Sequence, residues 1–229
     1  MDDLLSRGVA HRVLDVGAGT GIASQQLSQR GADVLAVEPD PRMAAVARRK
    51  GIPTEIGAFE TWDPAGRTFD LVVFAQSFHW VDPAVALPKV HQVLRDGGEL
   101  ALLWNRLKPV KPSRDEFDVI YSDYMDADTR PMDGDPDDVV AILTAGGFAV
   151  TQRNYPRSIH YSRQQWLDLV FTYSNHLTLE PEQAAELYRR LADRIGSDGV
   201  SVGGEALAIV ASRARAATTS ARRPAPVFR

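Results

Sequence analysis

The sequence VLDVGAGTG at residues 13–21 decides the fold class of this 229-residue chain. It begins as a short, mostly apolar run typical of a buried strand, and glycine then follows at alternate positions, Gly17, Gly19 and Gly21. Glycine allows the backbone to turn sharply and lets a ligand approach the main chain closely. A helix that begins directly after such a turn offers unpaired N–H groups to a polar or anionic group. The stretch therefore predicts a strand, a ligand-binding turn and a helix in succession.

Strand and helix patterns continue to alternate through the rest of the first half. Strands are predicted at residues 12–16, 34–37, 54–56, 69–75 and 99–104. The second half predicts helices over 115–125, 136–145 and 181–195, another after Ser162, and strands within 148–159 and 205–212. Alternation of this kind is typical of a parallel sheet with crossover helices.

Glu38 ends the second predicted strand, and its carboxylate can accept two hydrogen bonds from ribose hydroxyls. Together with the glycine turn, it predicts an adenosine-containing ligand at the carboxyl ends of the strands. The dinucleotide pattern G-x-G-x-x-G would require a third glycine at position 22, which is Ile22. A nicotinamide-dependent oxidoreductase is therefore the less favoured alternative.

The arrangement V-L-D-V-G-x-G-x-G resembles motif I of the class I S-adenosylmethionine (SAM)-dependent methyltransferases. Similar matches occur in FDLVV at residues 69–73 and LRDGGEL at residues 94–100. The pairs HW at 79–80 and WN at 104–105 resemble the branch that includes trans-aconitate and ubiquinone/menaquinone methyltransferase-like proteins. The resemblance implies an α/β, Rossmann-like fold: a seven-stranded, mostly parallel sheet with helices on both faces and an antiparallel last strand. It also implies methyl transfer from SAM to a small-molecule acceptor.

The same resemblance implies which residues bind the cofactor. Many family members carry an aspartate that contacts the adenine, but this chain has Ala58 and Phe59 there, which implies a main-chain or apolar contact. Asp15 either organises the glycine turn and approaches the methionyl ammonium, or only accepts hydrogen bonds in a local turn. The implied cofactor-binding residues are Asp15, Gly17, Ala18, Gly19, Gly21, Glu38, Pro39, Ala58, Phe59 and Gln76.

Methyl transfer from a sulfonium is an in-line displacement, for which a protein mainly supplies proximity and alignment. His79, just past the fourth strand, is the candidate general base for a substrate hydroxyl, with a wall residue as the alternative. A carboxylate acceptor would need no base. No spacing of histidines and acids predicts a metal site. The candidate acceptor-pocket residues, for which core packing is the alternative, are Trp80, Trp104, Asn105 and Tyr173.

Composition excludes several other classes of function. The net charge of −4 argues against nucleic acid as a partner, and no apolar run approaches the ~20 residues that cross a bilayer. The absence of cysteine fits a cytoplasmic protein. We expect one domain over residues 1–212, with an insertion at about 106–136 that selects the acceptor, and a basic, disordered tail over 213–229.

The short segment before the first strand keeps a further alternative open. Members of the resembled family usually carry a few tens of residues before motif I, which form a lid, whereas eleven residues precede Arg12. We expect the lid to lie upstream, to be absent, or to come from another subunit of a homodimer. A non-catalytic, methyltransferase-like binding protein is the corresponding alternative function.

Overall fold

The structure, a computed structural model, describes residues 2–5, 12–124, 136–171, 176 and 179–213. Across these residues the strands form one seven-stranded sheet with the order β3-β2-β1-β4-β5-β7-β6. The strands are β1 Arg12–Val16, β2 Asp33–Glu38, β3 Thr54–Ile56, β4 Phe69–Ala75, β5 Leu94–Lys111, β6 Phe148–Tyr161 and β7 Val200–Arg213.

The first five strands are parallel, while β7 pairs antiparallel with both β5 and β6. This is the predicted Rossmann-like class, and that prediction is confirmed. β1 lies between β2 and β4, so the chain order reverses on either side of it. In open α/β sheets, ligands bind at the carboxyl ends of the strands beside such a reversal.

The helices follow the predicted signals closely. Asp40 and Asp82 accept hydrogen bonds from the backbone N–H groups of Arg42 and Ala84, and a proline follows each cap. Such caps satisfy N–H groups that have no partner within the helix. The helices are α1 Asp2–Leu5, α2 Ile22–Ser28, α3 Pro41–Arg49, α4 Pro83–Val93, α5 Arg114–Tyr121, α6 Pro136–Ala145, α7 Arg163–Val170 and α8 Pro181–Ile195. Of the described helices, none is long and apolar enough to cross a membrane.

Both faces of the sheet are covered by apolar packing. The larger core joins one face to α4 and α6, through residues such as Leu87, Val90 and Leu143. On the opposite face, Leu4 of α1 and Leu27 of α2 pack on strand residues that include Val13. The alternation of strand side chains between two buried faces explains the near-continuous apolar sequence of β4.

The last three strands are much longer than the sequence pattern indicates. β5 was expected at residues 99–104, but it begins at Leu94 and continues to Lys111, because β7 pairs with it from Glu99 to Lys111. Residues 106–111 of the expected insertion are therefore strand, and residues 125–135 lie outside the described ranges. The strands project past the rest of the sheet as an antiparallel ribbon.

A second apolar cluster forms a cap beside this ribbon. Helices α5, α7 and α8 pack together there, with Phe117, Trp166 and Leu187 at the centre and Val200 and Val202 of β7 beneath them. Ser113 and Ser162 begin α5 and α7 with reciprocal capping boxes. The residues expected to select the acceptor are thus partly ribbon and partly cap.

Candidate active site

A cleft of about 1300 Å³ opens at the carboxyl ends of β1, β2, β4 and β5. Gly21 and His79 are not among the described residues that line it, and Tyr173 lies outside the described part of the chain. The structure brings the other predicted site residues together on its wall, namely Asp15, Gly17, Ala18, Gly19, Glu38, Pro39, Ala58, Phe59, Gln76, Trp80, Trp104 and Asn105.

The glycine turn packs tightly against the end of β4. Gly17 has a φ of +66°, and a Cβ added there would lie 2.6 Å from Cβ of Ser77. The Ser77 hydroxyl donates to the carbonyl of Val16 at 2.5 Å, which holds the two loops together. A side chain at position 17 would therefore require both an unfavourable φ and a shift of Ser77.

Glu38 is almost completely buried and is fixed by two backbone donors. Its Oε2 accepts from the N–H of Gly19 at 2.7 Å, and its Oε1 accepts from the N–H of Asp40 at 3.0 Å. A carboxylate has about four lone-pair sites, so each oxygen can still accept a bond from a ligand. The side chain is positioned for two hydroxyl groups that approach from the cleft.

Asp15 is fully buried beneath the glycine turn. Its Oδ2 accepts from the hydroxyl of Ser24 on α2 at 2.5 Å, while Oδ1 has no hydrogen-bond partner in the described part of the chain. Burial raises the pKa of Asp15 to about 6, the hydrogen bonds from Ser24 oppose this, and the charge of Glu38 adds to it. An unsatisfied, buried carboxylate oxygen in a cleft wall is suited to a donor on a bound ligand.

Gln76 adopts a left-handed backbone conformation where β4 leaves the sheet. Its φ is +58°, which is uncommon for a residue other than glycine, and its N–H donates to the carbonyl of Leu103 at 2.9 Å. Its side-chain Nε2 lies 3.4 Å from the carbonyl oxygen of Asn105. Strained residues of this kind concentrate at binding sites, which supports a role for this turn.

His79 and Trp80 lie in a short 3-10 turn, Phe78–Trp80, after β4. Both are exposed, with their rings 4.9 Å apart, but only Trp80 lines the cleft, where 77% of its surface is exposed. Phe59, by contrast, is 2% exposed and packs edge-on against Phe74. The cleft thus has an aromatic mouth and an apolar floor.

The sequence interpretation missed one wall of the cleft entirely. Side chains at alternate positions of β6 line it, and so do small residues of β7. The signal was the period-two spacing of basic and aromatic residues, since successive side chains of a strand point to opposite faces. The missed β6 residues are Arg153, Tyr155, Arg157, Ile159 and Tyr161.

In the described ranges, no three histidine, aspartate or glutamate side chains are grouped so that they could hold a metal ion. The cleft instead offers two fixed carboxylates and aromatic rings. Such a set is suited to an organic ligand with hydroxyl and cationic groups.

The fold and cleft define a Rossmann-like α/β domain with a cleft at the carboxyl ends of its parallel strands. Residues 14–102 match the model of the methyltransferase domain family. An uncharacterized methyltransferase of Mycobacterium tuberculosis is 45% identical over 106 residues, which are 45% of this chain and 43% of the relative. A trans-aconitate 2-methyltransferase of Mycobacterium marinum is 38% identical over 84 residues, 34% of this chain and 32% of the relative.

The chain thus spans less than half the length of these curated relatives. Solved structures cover it more completely. The YcgJ protein of Bacillus subtilis has a TM-score of 0.59 at 20% identity, over 93% of this chain and 96% of that one. A TehB-like SAM-dependent methyltransferase of Corynebacterium glutamicum has a TM-score of 0.52 at 15% identity, over 91% and 83%. At such identities the likeness establishes the fold alone.

Proposed function

We propose that this chain transfers a methyl group from SAM to a small-molecule acceptor by in-line displacement. The observation that carries the proposal is the joint placement of Asp15, the glycine turn and Glu38 on one cleft wall. That wall lies at the reversal of strand order, and most of it falls in residues 14–102, the segment that matches the methyltransferase domain model. The two carboxylates on the wall are complementary to the ribose hydroxyls and the ammonium group of SAM.

Two polar parts of SAM, the ribose hydroxyls and the methionyl ammonium, have a matching side chain in this proposal. Glu38 accepts hydrogen bonds from the ribose hydroxyls with the lone pairs that Gly19 and Asp40 leave available. Asp15 accepts from the methionyl ammonium with Oδ1, the buried atom that lacks a partner among the described residues. The proposed cofactor-binding set also keeps Gly17, Ala18, Pro39, Ala58, Phe59 and Gln76, which line the cleft. It keeps Gly21 as well, which does not line the cleft but ends the glycine turn as the N-cap of α2.

SAM supplies a methyl group on a positively charged sulfur, so the protein need not activate the donor. We propose that the chain contributes alignment of the acceptor and exclusion of water, with Trp80, Trp104 and Asn105 on the acceptor side. His79 remains a candidate base for an acceptor that carries a hydroxyl, and Tyr173 remains a candidate pocket residue. A carboxylate acceptor would not need His79 as a base.

The remaining expectations from the sequence stay predictions. They are a single domain over residues 1–212, a basic, disordered tail over 213–229, a cytoplasmic location, the absence of a nucleic-acid partner, and a homodimer. The tail prediction needs one correction, because Arg213 is the last residue of β7, while residues 214–229 lie outside the described ranges. Each of these predictions concerns a part or a property of the protein outside the cleft.

The test is calorimetric titration with S-adenosylhomocysteine (SAH), the product form of the cofactor, using a matched pair of glycine variants. Gly19→Ala and Gly31→Ala both force alanine into a positive φ, but only Gly19 lines the cleft. We expect micromolar binding by the wild type and by Gly31→Ala, and at least ~10-fold weaker binding by Gly19→Ala. NADH serves as the comparison ligand and should not bind.

Absence of SAH binding by a folded wild-type protein would overturn the cofactor assignment. Binding of SAH without methyl transfer to any member of a broad acceptor panel would support the non-catalytic alternative instead. Conversion of SAM to SAH that depends on a single added acceptor would establish the proposed activity.

A further inference from the structure

The charged side chains that line the cleft are separated by sign. The acids lie at or just after the carboxyl ends of β1, β2 and β3, where the cofactor is proposed to bind. One arginine lies just after α2, and the other two form a pair on β6 at the far end of the sheet. The acids are Asp15, Glu38, Asp40 and Glu60, and the arginines are Arg30, Arg153 and Arg157.

The β6 pair projects from one face of the ribbon. Arg153, Tyr155 and Arg157 occupy alternate positions, so their side chains point to the same side of the strand. The residues directly opposite them on β7 are Ala208, Ala206 and Gly204. Ala206 and Ala208 line the cleft, so the space that these small residues leave in front of the longer β6 side chains is part of it.

The β5 residues across the same face connect this space with the cofactor end. Asn105 pairs with Ala206, which in turn pairs with Tyr155, so the three share one face of the ribbon. Asn105 is also the residue whose carbonyl lies 3.4 Å from Nε2 of Gln76. An acceptor on this face would therefore extend from the arginines towards Gln76 and the end of the cleft where the cofactor is proposed to bind.

Guanidinium groups bind carboxylates and phosphates through paired, charge-assisted hydrogen bonds. Among the salt bridges between described residues, none includes Arg157. Its charge therefore has no carboxylate partner in that part of the chain, although it faces a cleft. A ligand anion would supply such a partner.

We propose that the methyl acceptor is an anion, whose carboxylate or phosphate group is bound by Arg153 and Arg157 on the ribbon face of the cleft. The inference rests on the proposed function and adds the chemical class of the acceptor. The two arginines are four residues apart, about 13 Å along the strand, and their long side chains can converge on one group or hold two. The positive sulfonium and the anionic acceptor would also attract each other.

The test measures anion binding separately from cofactor binding. The probes are citrate as a carboxylate, inorganic phosphate, and triethyl citrate as an uncharged analogue, each titrated at low ionic strength with and without SAH. The variants are Arg153→Gln and Arg157→Gln. The matched control is Arg106→Gln, which removes the same charge from β5 of the same ribbon at a position that does not line the cleft.

We expect citrate or phosphate to bind and triethyl citrate not to bind. Arg153→Gln and Arg157→Gln should each weaken anion binding about 10-fold or more, while Arg106→Gln has less than about a twofold effect. SAH affinity should be unchanged in all three variants. Tighter binding of citrate than of phosphate would identify a carboxylate, and the reverse order would identify a phosphate.

Two results would overturn the inference. One is SAH binding by the wild type without binding of either anion. The other is an equal effect of all three arginine variants, which would indicate general charge attraction. If anions bind at the arginines but SAH does not bind, the anion site stands and the proposed methyltransferase function fails.

Discussion

The carboxylate of Glu38 accepts a hydrogen bond from the backbone N–H of Gly19, with Oε2 2.7 Å from the nitrogen. This bond connects the turn after β1 to the end of β2, and it holds the glycine turn in position before any ligand arrives. The same side chain is the proposed ribose acceptor. Loop geometry and ligand recognition are thus coupled through one carboxylate.

Replacement of Glu38 with glutamine tests this coupling. The glutamine side chain has nearly the same shape, but its amide group donates where the carboxylate accepts, so it cannot satisfy both Gly19 and Asp40 and still bind two hydroxyls. We expect Glu38→Gln to weaken SAH binding by ~1.5–3 kcal/mol, roughly 10- to 150-fold, in a calorimetric titration.

Glu55→Gln is the matched control, because Glu55 is bound by Arg67 and Trp62 outside the cleft. It should leave SAH affinity unchanged. Equal SAH affinities for the two variants would contradict the role of Glu38.

The close packing of Gly17 against Ser77 predicts a difference between two glycine variants. Gly31 also has a positive φ, +90°, but no atom lies within 4 Å of its added Cβ. Gly31→Ala should therefore cost only the backbone strain of ~1–2 kcal/mol. Gly17→Ala should cost ~2–5 kcal/mol, since a clash of ~1–3 kcal/mol adds to that strain.

Urea unfolding of both variants measures these costs. If Gly17→Ala proves as stable as Gly31→Ala, then Ser77 moves aside freely and the two loops are not locked together. If Gly31→Ala is the less stable protein, the packing argument fails altogether.

The parts of the fold that local signals determine were predictable from the sequence. The bounds of Thr54–Ile56, Phe69–Ala75 and Pro181–Ile195 agree with prediction because apolar period, proline and glycine all point to the same limits. The ribbon was not predictable in this way. The length of β5 is set by pairing with β7, about a hundred residues later in the chain, and Gly97 and Gly98 lie within the strand rather than before it.

The same distinction holds for the site. The glycine turn and Glu38 are close in sequence and share a recognisable spacing, so their meeting in the cleft could be expected. Arg153 and Arg157 line the same cleft only because β6 lies next to β7 at the far edge of the sheet. Sequence position alone does not place them there, although their alternate spacing on a strand was visible.

Trp80 provides a fluorescence signal for ligand binding. Its indole is 77% exposed at the mouth of the cleft, so its emission should be that of a tryptophan in water. A ligand that covers the ring should shift the emission to shorter wavelength, and Trp80→Phe should remove most of that change. Trp166→Phe is the control, because Trp166 is buried in the cap and should not report on the cleft. A full response retained by Trp80→Phe would show that the mouth does not close on the ligand.

The buried carboxyl of Asp15 predicts how stability changes with pH. Its pKa is about 6 in the folded protein and 3.8 ordinarily, so between these values the folded state holds a proton that the unfolded state releases. The free energy of unfolding should therefore fall as pH rises from about 4 to about 6. Above pH ~6 Asp15 is ionised in both states, and the folded protein bears the full cost of burying its charge. The difference between 3.8 and about 6 corresponds to about 3 kcal/mol.

Asp15→Asn has no charge to bury, so its stability should lack this component. The free energy of unfolding of the variant, relative to that of the wild type, should rise by up to about 3 kcal/mol between pH ~4 and pH ~7, as measured by urea unfolding. Asp40→Asn is the control, because the pKa of exposed Asp40 is lowered to about 2 and its contribution hardly changes over that range. Parallel pH profiles for Asp15→Asn and the wild type would mean that Asp15 is ionised throughout, held by a charge or hydrogen bond on Oδ1 even without ligand.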